Sequence, residues 1–157
     1  MAGTDETSIE IAAPPAQVYE LVSDVTNMGR WSPECHKCEW VGDASGPDVG
    51  SKFKGHNKRG FMRWSTTSTV VEAEQPSHFA WQVDQSGMRW GYRFEALDGG
   101  SRTKVTEYRH AVAPLPAYVR LAYKLRLLGG DPDAIVRRGM DETLQRLKAG
   151  AESSPTT

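Results

Sequence analysis

The sequence predicts an α+β domain in which a curved antiparallel sheet of about seven strands wraps around a long C-terminal helix, with two short helices after the first strand. Three observations carry that prediction. From Cys35 to His110 the chain is a string of short alternating runs separated by turn residues, with no helical period strong enough to interrupt them. Beyond Asp131 the period changes to that of a helix, and Val136, Met140, Thr143, Leu144 and Leu147 keep one apolar stripe as far as Ala149-Gly150. Alternating strands bury only one face, so that face needs a cover, and the chain ends are what can supply it.

The elements follow in order. Thr7 to Ala12 alternates, with Ile9 and Ile11 on one face and Ser8 and Glu10 on the other, which is the period of a half-buried strand. Pro14 and Pro15 supply backbone angles suited to a helix start, and Val18, Leu21, Val22 and Val25 continue at helical spacing. Asn27 to Pro33 holds too much Gly and Pro for a long helix and reads as a helical turn or loop carrying Trp31. Gly42 to Pro47, Lys58-Arg59-Gly60, Glu74 to Ser77, Gln85-Ser86-Gly87 and Asp98-Gly99-Gly100 then mark the reversals between six further strands. Asp131-Pro132 is a cap and first-turn pair for the last helix. Pro116 to Leu128, with Arg120, Lys124 and Arg126, reads as a separate helix or a lid. Without a repeat or a linker, residues 7–149 form a single expected domain, with 1–6 and 150–157 as flexible tails.

Composition narrows the function classes. The length of 157 residues suits one domain, and 38% apolar with 25% charged residues is ordinary for a globular chain. A formal net charge of -1 gives no reason to expect nucleic acid as a partner. Met1 to Thr7 has no apolar leader, and no run approaches the roughly 20 apolar residues of a membrane span. The expectation is a cytoplasmic protein without stable membrane insertion, its oligomeric state left open. Cys35-His36-Lys37-Cys38 invites a metal or redox reading, but a structural zinc site needs four ligands, and on a regular strand the two cysteines point to opposite faces. His56 and His78 are scattered singly, and the Gly99-Gly100 and Gly129-Gly130 turns lack the spacing of phosphate loops. No metal and no cofactor is expected.

Several runs, in order, carry a resemblance. Ile9 to Tyr19 (Ile-Glu-Ile-Ala-Ala-Pro-Pro-Ala-Gln-Val-Tyr) is followed by Asp24, Asn27 and Trp31-Ser32-Pro33. Later come Val49-Gly50-Ser51-Lys52-Phe53, Trp64 ahead of Val70, Phe79-Ala80-Trp81, Trp90 to Phe94 and Gly100 to Glu107. Together they resemble the polyketide cyclase/dehydrase group of the START-like (SRPBCC) superfamily over about Thr7 to Ala149. The resemblance implies a helix-grip fold with a cavity between sheet and terminal helix that takes lipids, sterols, polyketides or other apolar molecules. It implies no single reaction, because carriers, receptors, cyclases and co-chaperone domains share the fold.

Strand parity then selects the residues that face inward. Trp90, Tyr92 and Phe94 share one face, and Arg89, Arg93 and Glu95 take the other. Phe53 brings Asn57 to its side, Val70 brings Ser68, Thr66 and Trp64, and Phe79 brings Trp81 and Val83. Val105 carries Glu107 and Arg109 inward with it, whereas a single bulge would put Tyr108 and His110 there instead. Trp31, Tyr123, Val136 and Met140 complete the expected lining. Inward aromatics are core more often than ligand platform, and Glu107 and Arg109 read more readily as an ion pair, at the surface or buried, than as site residues. If the charges face a cavity, Arg109 can polarise a carbonyl, Glu107 can act as a general base, and Tyr92 can donate to a developing enolate. His110 is the candidate acid or base at the cavity mouth. The sequence therefore supports a module that binds a small hydrophobic molecule, beside a cyclase, aromatase or dehydratase that works on one. A partner-binding domain with a filled interior is the third reading.

Overall fold

The computed structural model describes residues 5–44, 46–111, 117–118, 121 and 132–153. Strand β1 (Asp5–Ile11) leads into helix α1 (Pro15–Ser23) and a 3-10 helix at Val25–Arg30. Six strands follow: β2 (Cys35–Trp40), β3 (Lys52–Arg59), β4 (Met62–Glu74), β5 (His78–Val83), β6 (Met88–Leu97) and β7 (Arg102–Ala111). Helix α2 (Pro132–Ser153) is the long terminal helix. All seven strands form one antiparallel sheet in the order β1-β7-β6-β5-β4-β3-β2, so five consecutive hairpins make the meander and β1 closes onto the last strand. This is the curved sheet, helix pair and terminal helix of the helix-grip architecture.

Local chemistry explains the element boundaries. Pro15 occupies the first turn of α1, where its missing N–H is not needed. Asp24 stops α1 and caps the 3-10 helix, its carboxylate accepting from Thr26 N at 3.1 Å and from Thr26 Oγ1 at 2.6 Å. Helix α2 lies chiefly against β1. Met140, Thr143, Leu144, Leu147 and Ala151 are buried on it, together with Ile11, Val18, Val25, Val70, Phe79 and Val105 from the rest of the core. Polar contacts pin its C-terminal half: Lys148 Nζ donates to Glu10 O at 2.9 Å, Ala12 N to Glu152 Oε2 at 2.8 Å, and Gln17 Nε2 to Ala151 O at 3.1 Å.

The first strand and the last helix each reach further than the apolar pattern suggests. Asp5 and Glu6 belong to β1, opposite Arg109 and Tyr108, and Gly150 to Ser153 complete α2. Polar residues hold these extensions by specific pairing, which an apolar period does not register. Trp31 is buried beside Gly150, where an added Cβ would meet its ring at 3.5 Å, with the Arg30 guanidinium 4.9 Å from that ring, and so covers the end of α2.

Two bulges interrupt the ladders, one between Cys35 and Lys37 in β2 and one between Val70 and Glu72 in β4. The first corrects the expectation for the cysteines. The extra residue resets the alternation, so Cys35 and Cys38 are both buried and their Sγ atoms lie 3.1 Å apart above Gly55.

Thr103, fully buried, donates from Oγ1 to Ala13 O at 2.7 Å and ties the β1–α1 turn to β7. Replacing it with Val leaves that carbonyl without its donor. The expected loss is ~1–2 kcal/mol of unfolding free energy, read by urea denaturation; a neutral substitution would mean the turn is held by packing alone.

Candidate functional site

The concave face of β3 to β7 is an aromatic wall. Phe53 meets Trp81 edge-on at 5.7 Å between ring centroids, and Trp81 lies 5.9 Å from both Phe79 and Tyr92. Tyr92 stacks on Phe94 at 6.4 Å and 16°. From α1, Tyr19 closes edge-on against Phe79 and Phe94 at 6.2 and 5.6 Å. Nothing in the spacing of α1 distinguishes Tyr19 from an ordinary core residue, and the sequence reading passes over it.

Glu107 stands within this wall. Register places it beside Thr7 of β1 and Tyr92 of β6, and only 4% of it is exposed. Tyr92 Oη donates to Glu107 Oε2 at 3.1 Å, whereas Oε1 has no hydrogen-bond partner among the described residues. Burial pushes the carboxyl up to about 8, against the lowering effect of the Tyr92 hydrogen bond and with a smaller push from Asp141. The Tyr92 phenol is itself raised well above its ordinary value, first by burial and then by the neighbouring Glu107. At neutral pH the pair is therefore largely uncharged, with one carboxyl oxygen still available in an apolar setting.

Arg109 follows a different course from the one expected. It is on the same face and 8% exposed, but its Nε donates to Asp5 Oδ2 at 2.8 Å, and its guanidinium lies 5.9 Å from the Trp90 ring. Its ion pair is with Asp5, not Glu107, because β1 begins early enough to bring that carboxylate opposite Arg109. Arg137 of α2 also approaches Asp5, at 3.6 Å.

The register of β7 is unbroken, so Tyr108 and His110 occupy the convex face. His110 stacks on Tyr108 at 5.9 Å, and Tyr108 Oη lies 2.6 Å from His78 Nε2. This corrects the assignment of His110 to the cavity mouth: without a bulge, strand alternation turns it away from Glu107.

The remaining expected lining residues divide by depth. Ser68, Val83, Phe94, Val105 and Met140 are buried, and Asn57, Thr66, Trp90 and Val136 are half-buried. Trp64 is half-buried near the β3–β4 turn, with Arg59 5.8 Å from its ring. Tyr123 lies outside the described residues. Cys38 points its Sγ at Cys35 and at Met28 Sδ, 3.7 Å away. The hydrogen bond from Cys38 lowers the Cys35 thiol, and the same bond and burial push Cys38 up. Among the described residues no cluster of three or more His, Cys, Asp or Glu could hold a metal ion, and no helix is long and apolar enough to cross a membrane.

A curved sheet gripping a terminal helix, with an aromatic inner face, is the architecture of a START-like protein. Residues 4–152 match the family described as "Polyketide cyclase / dehydrase and lipid transport", and the chain belongs to it. Among solved structures it is similar to the Polyketide_cyc-like protein Cgl2372 of Corynebacterium glutamicum, with 37% identity, 96% of this chain and 83% of that one covered, and a TM-score of 0.54. It also shares its fold with the Zhui aromatase/cyclase of Streptomyces sp. R1128, at 18% identity, 97% and 94% coverage and a TM-score of 0.73. Protein CV1439 of Chromobacterium violaceum is a third such structure, at 17% identity, 96% and 99% coverage and a TM-score of 0.67. No curated protein matches the chain.

Proposed function

We propose that the protein binds a small, largely apolar molecule bearing a carbonyl group, held against the concave aromatic wall with Glu107 as its polar contact. The observation that carries this reading is Glu107 Oε1, buried and without a hydrogen-bond partner among the described residues. A buried polar atom left unpaired costs free energy, and a ligand group that meets it recovers that cost. Held neutral by burial, Glu107 can donate from Oε1 to a ketone while Oε2 keeps the Tyr92 hydrogen bond. Family membership supports the apolar part of the reading.

The test is competition for a fluorescent naphthalene probe by paired ligands, a polycyclic aromatic ketone and the matching hydrocarbon. Glu107→Leu should weaken the ketone about tenfold and leave the hydrocarbon unchanged or tighter. Equal effects on both ligands, or no saturable binding by either, would sink the reading.

A second reading rests on the position of the Glu107 pKa, pushed to about 8, close to where a general acid or base works best. In its ionised form Glu107 would take a proton from the carbon beside a ketone. The enolate carbon would then add to a second carbonyl, and the proton would return to the new alkoxide, so the aldol closure consumes no cofactor. Glu107→Gln should then abolish turnover of a poly-β-ketone while leaving its binding within about threefold. Binding and turnover lost together would argue against a chemical role.

A further inference from the structure

We infer that the tip of the β3–β4 hairpin docks on the surface of an anionic lipid bilayer, with Phe61 and Met62 entering the interface and Lys58 and Arg63 meeting the headgroups. This goes beyond the ligand reading and does not depend on it.

The hairpin has an unusual composition. Between Asp48 and Glu72 the chain carries Lys52, Lys54, Lys58, Arg59 and Arg63 and no acidic residue, in a protein whose formal net charge is only -1. Its turn is the two-residue loop Gly60-Phe61, flanked by the Arg59↔Met62 pair. Gly60 has φ 61°, the left-handed conformation that such a loop favours at its first position. The turn holds Phe61 at the outermost point of the hairpin, fully exposed, with Met62 half-exposed beside it. Two large apolar side chains at a tip lose solvation free energy in water and regain it at a bilayer interface, where aromatic residues are favoured.

The charges complete the pattern. Lys58 and Arg63 stand directly opposite each other across the hairpin, both exposed. Like charges in that position destabilise a sheet, and among the described residues neither has an ion pair that offsets the cost. Three acids on neighbouring segments are taken up by other residues of the hairpin: Glu34 by Arg59 at 2.7 Å, Glu39 by His56 at 2.9 Å, and Asp84 by Lys52 at 2.8 Å. An anionic surface would pair both cations at once. A nucleic acid would also satisfy them, but it would not explain why Phe61 and Met62 extend past the cations at the turn instead of lying flat between them.

The test is co-sedimentation of the full chain with vesicles of phosphatidylcholine alone and of phosphatidylcholine mixed with phosphatidylglycerol. Binding should appear on the anionic vesicles and fall with added salt. Each Lys or Arg near such a surface is worth about fivefold in affinity, so Lys58→Gln with Arg63→Gln should weaken binding about thirtyfold. Phe61→Ser with Met62→Ser should weaken it about tenfold or more. All four positions are exposed, so circular dichroism should show the variants folded. Equal binding to both vesicle types, or unchanged binding by either double variant, overturns the inference. So does tighter binding to a single-stranded oligonucleotide than to anionic vesicles, or a dimer in size exclusion that Phe61→Ser dissociates.

Discussion

Replacing Glu107 with Gln is expected to abolish most of the protein's loss of stability between about pH 4.5 and pH 8. In the folded chain the carboxyl is pushed to about 8 by burial, whereas in the unfolded chain it returns to its ordinary value of 4.5. Between those values the folded state holds a proton that the unfolded state has released, so unfolding free energy falls as pH rises. The stabilising contribution is complete below about pH 4.5 and gone above about pH 8. At ~1.4 kcal/mol per pH unit the window is worth roughly 5 kcal/mol, a large part of the 5–15 kcal/mol typical of a domain. Glutamine keeps an oxygen to accept from Tyr92 and cannot ionise. It should therefore match the wild type at pH 4 and exceed it by roughly 5 kcal/mol at pH 9. His78 works in the opposite direction, since burial lowers its pKa and stability is lost as pH falls through it. Urea denaturation of both proteins across the range removes that contribution by difference. Parallel stability profiles would show that Glu107 is already solvated, and the site built on its orphaned oxygen would go with it.

The fold was legible because its signals are local and periodic. Five turn segments and six alternating runs stand in the sequence where the structure has its reversals and strands, and the parity of Trp90, Tyr92 and Phe94 follows from alternation alone. The same parity turns Glu107 inward unless a bulge intervenes; the unbroken register of β6 and β7 is what sets it beside Tyr92. What alternation cannot supply is where it resets. The bulge after Cys35 has no residue signature, so the 3.1 Å approach of the two sulfurs is invisible until β2 is paired with β3.

Partner choice was equally out of reach. Arg109 takes Asp5, an acid 104 positions away that lies in a segment too polar to announce a strand. Long-range pairs of this kind are set by sheet order, and sheet order here joins the first strand to the last. Tyr19 belongs to the same class: its helical spacing marks a buried face, but only the packing of α1 over β5 and β6 sets it against Phe79 and Phe94.

Gly91→Val is expected to destabilise the protein by ~3–4 kcal/mol, although valine is a good strand former. The reason lies on the convex face. Gly91 pairs with Tyr108, whose ring crosses the glycine so closely that a Cβ there would sit 2.2 Å from Cζ and 2.3 Å from Oη. Tyr108 is buried in that position, its hydroxyl 2.6 Å from His78 Nε2 and its ring under the Arg93 guanidinium at 4.8 Å. Any side chain at 91 must expel the ring, losing a buried aromatic worth ~2 kcal/mol, a hydrogen bond worth ~1 kcal/mol and the cation–π contact. Tyr108→Ala alone incurs much of the same loss, and in that background valine at 91 meets no ring and should cost less than ~1 kcal/mol. The double-mutant cycle separates this account from a simple intolerance of the strand to a branched side chain. Strong coupling between positions 91 and 108 means that the glycine exists to seat the tyrosine. Additive costs would mean that some other feature of β6 excludes the larger residue, and that Tyr108 merely occupies the space left open.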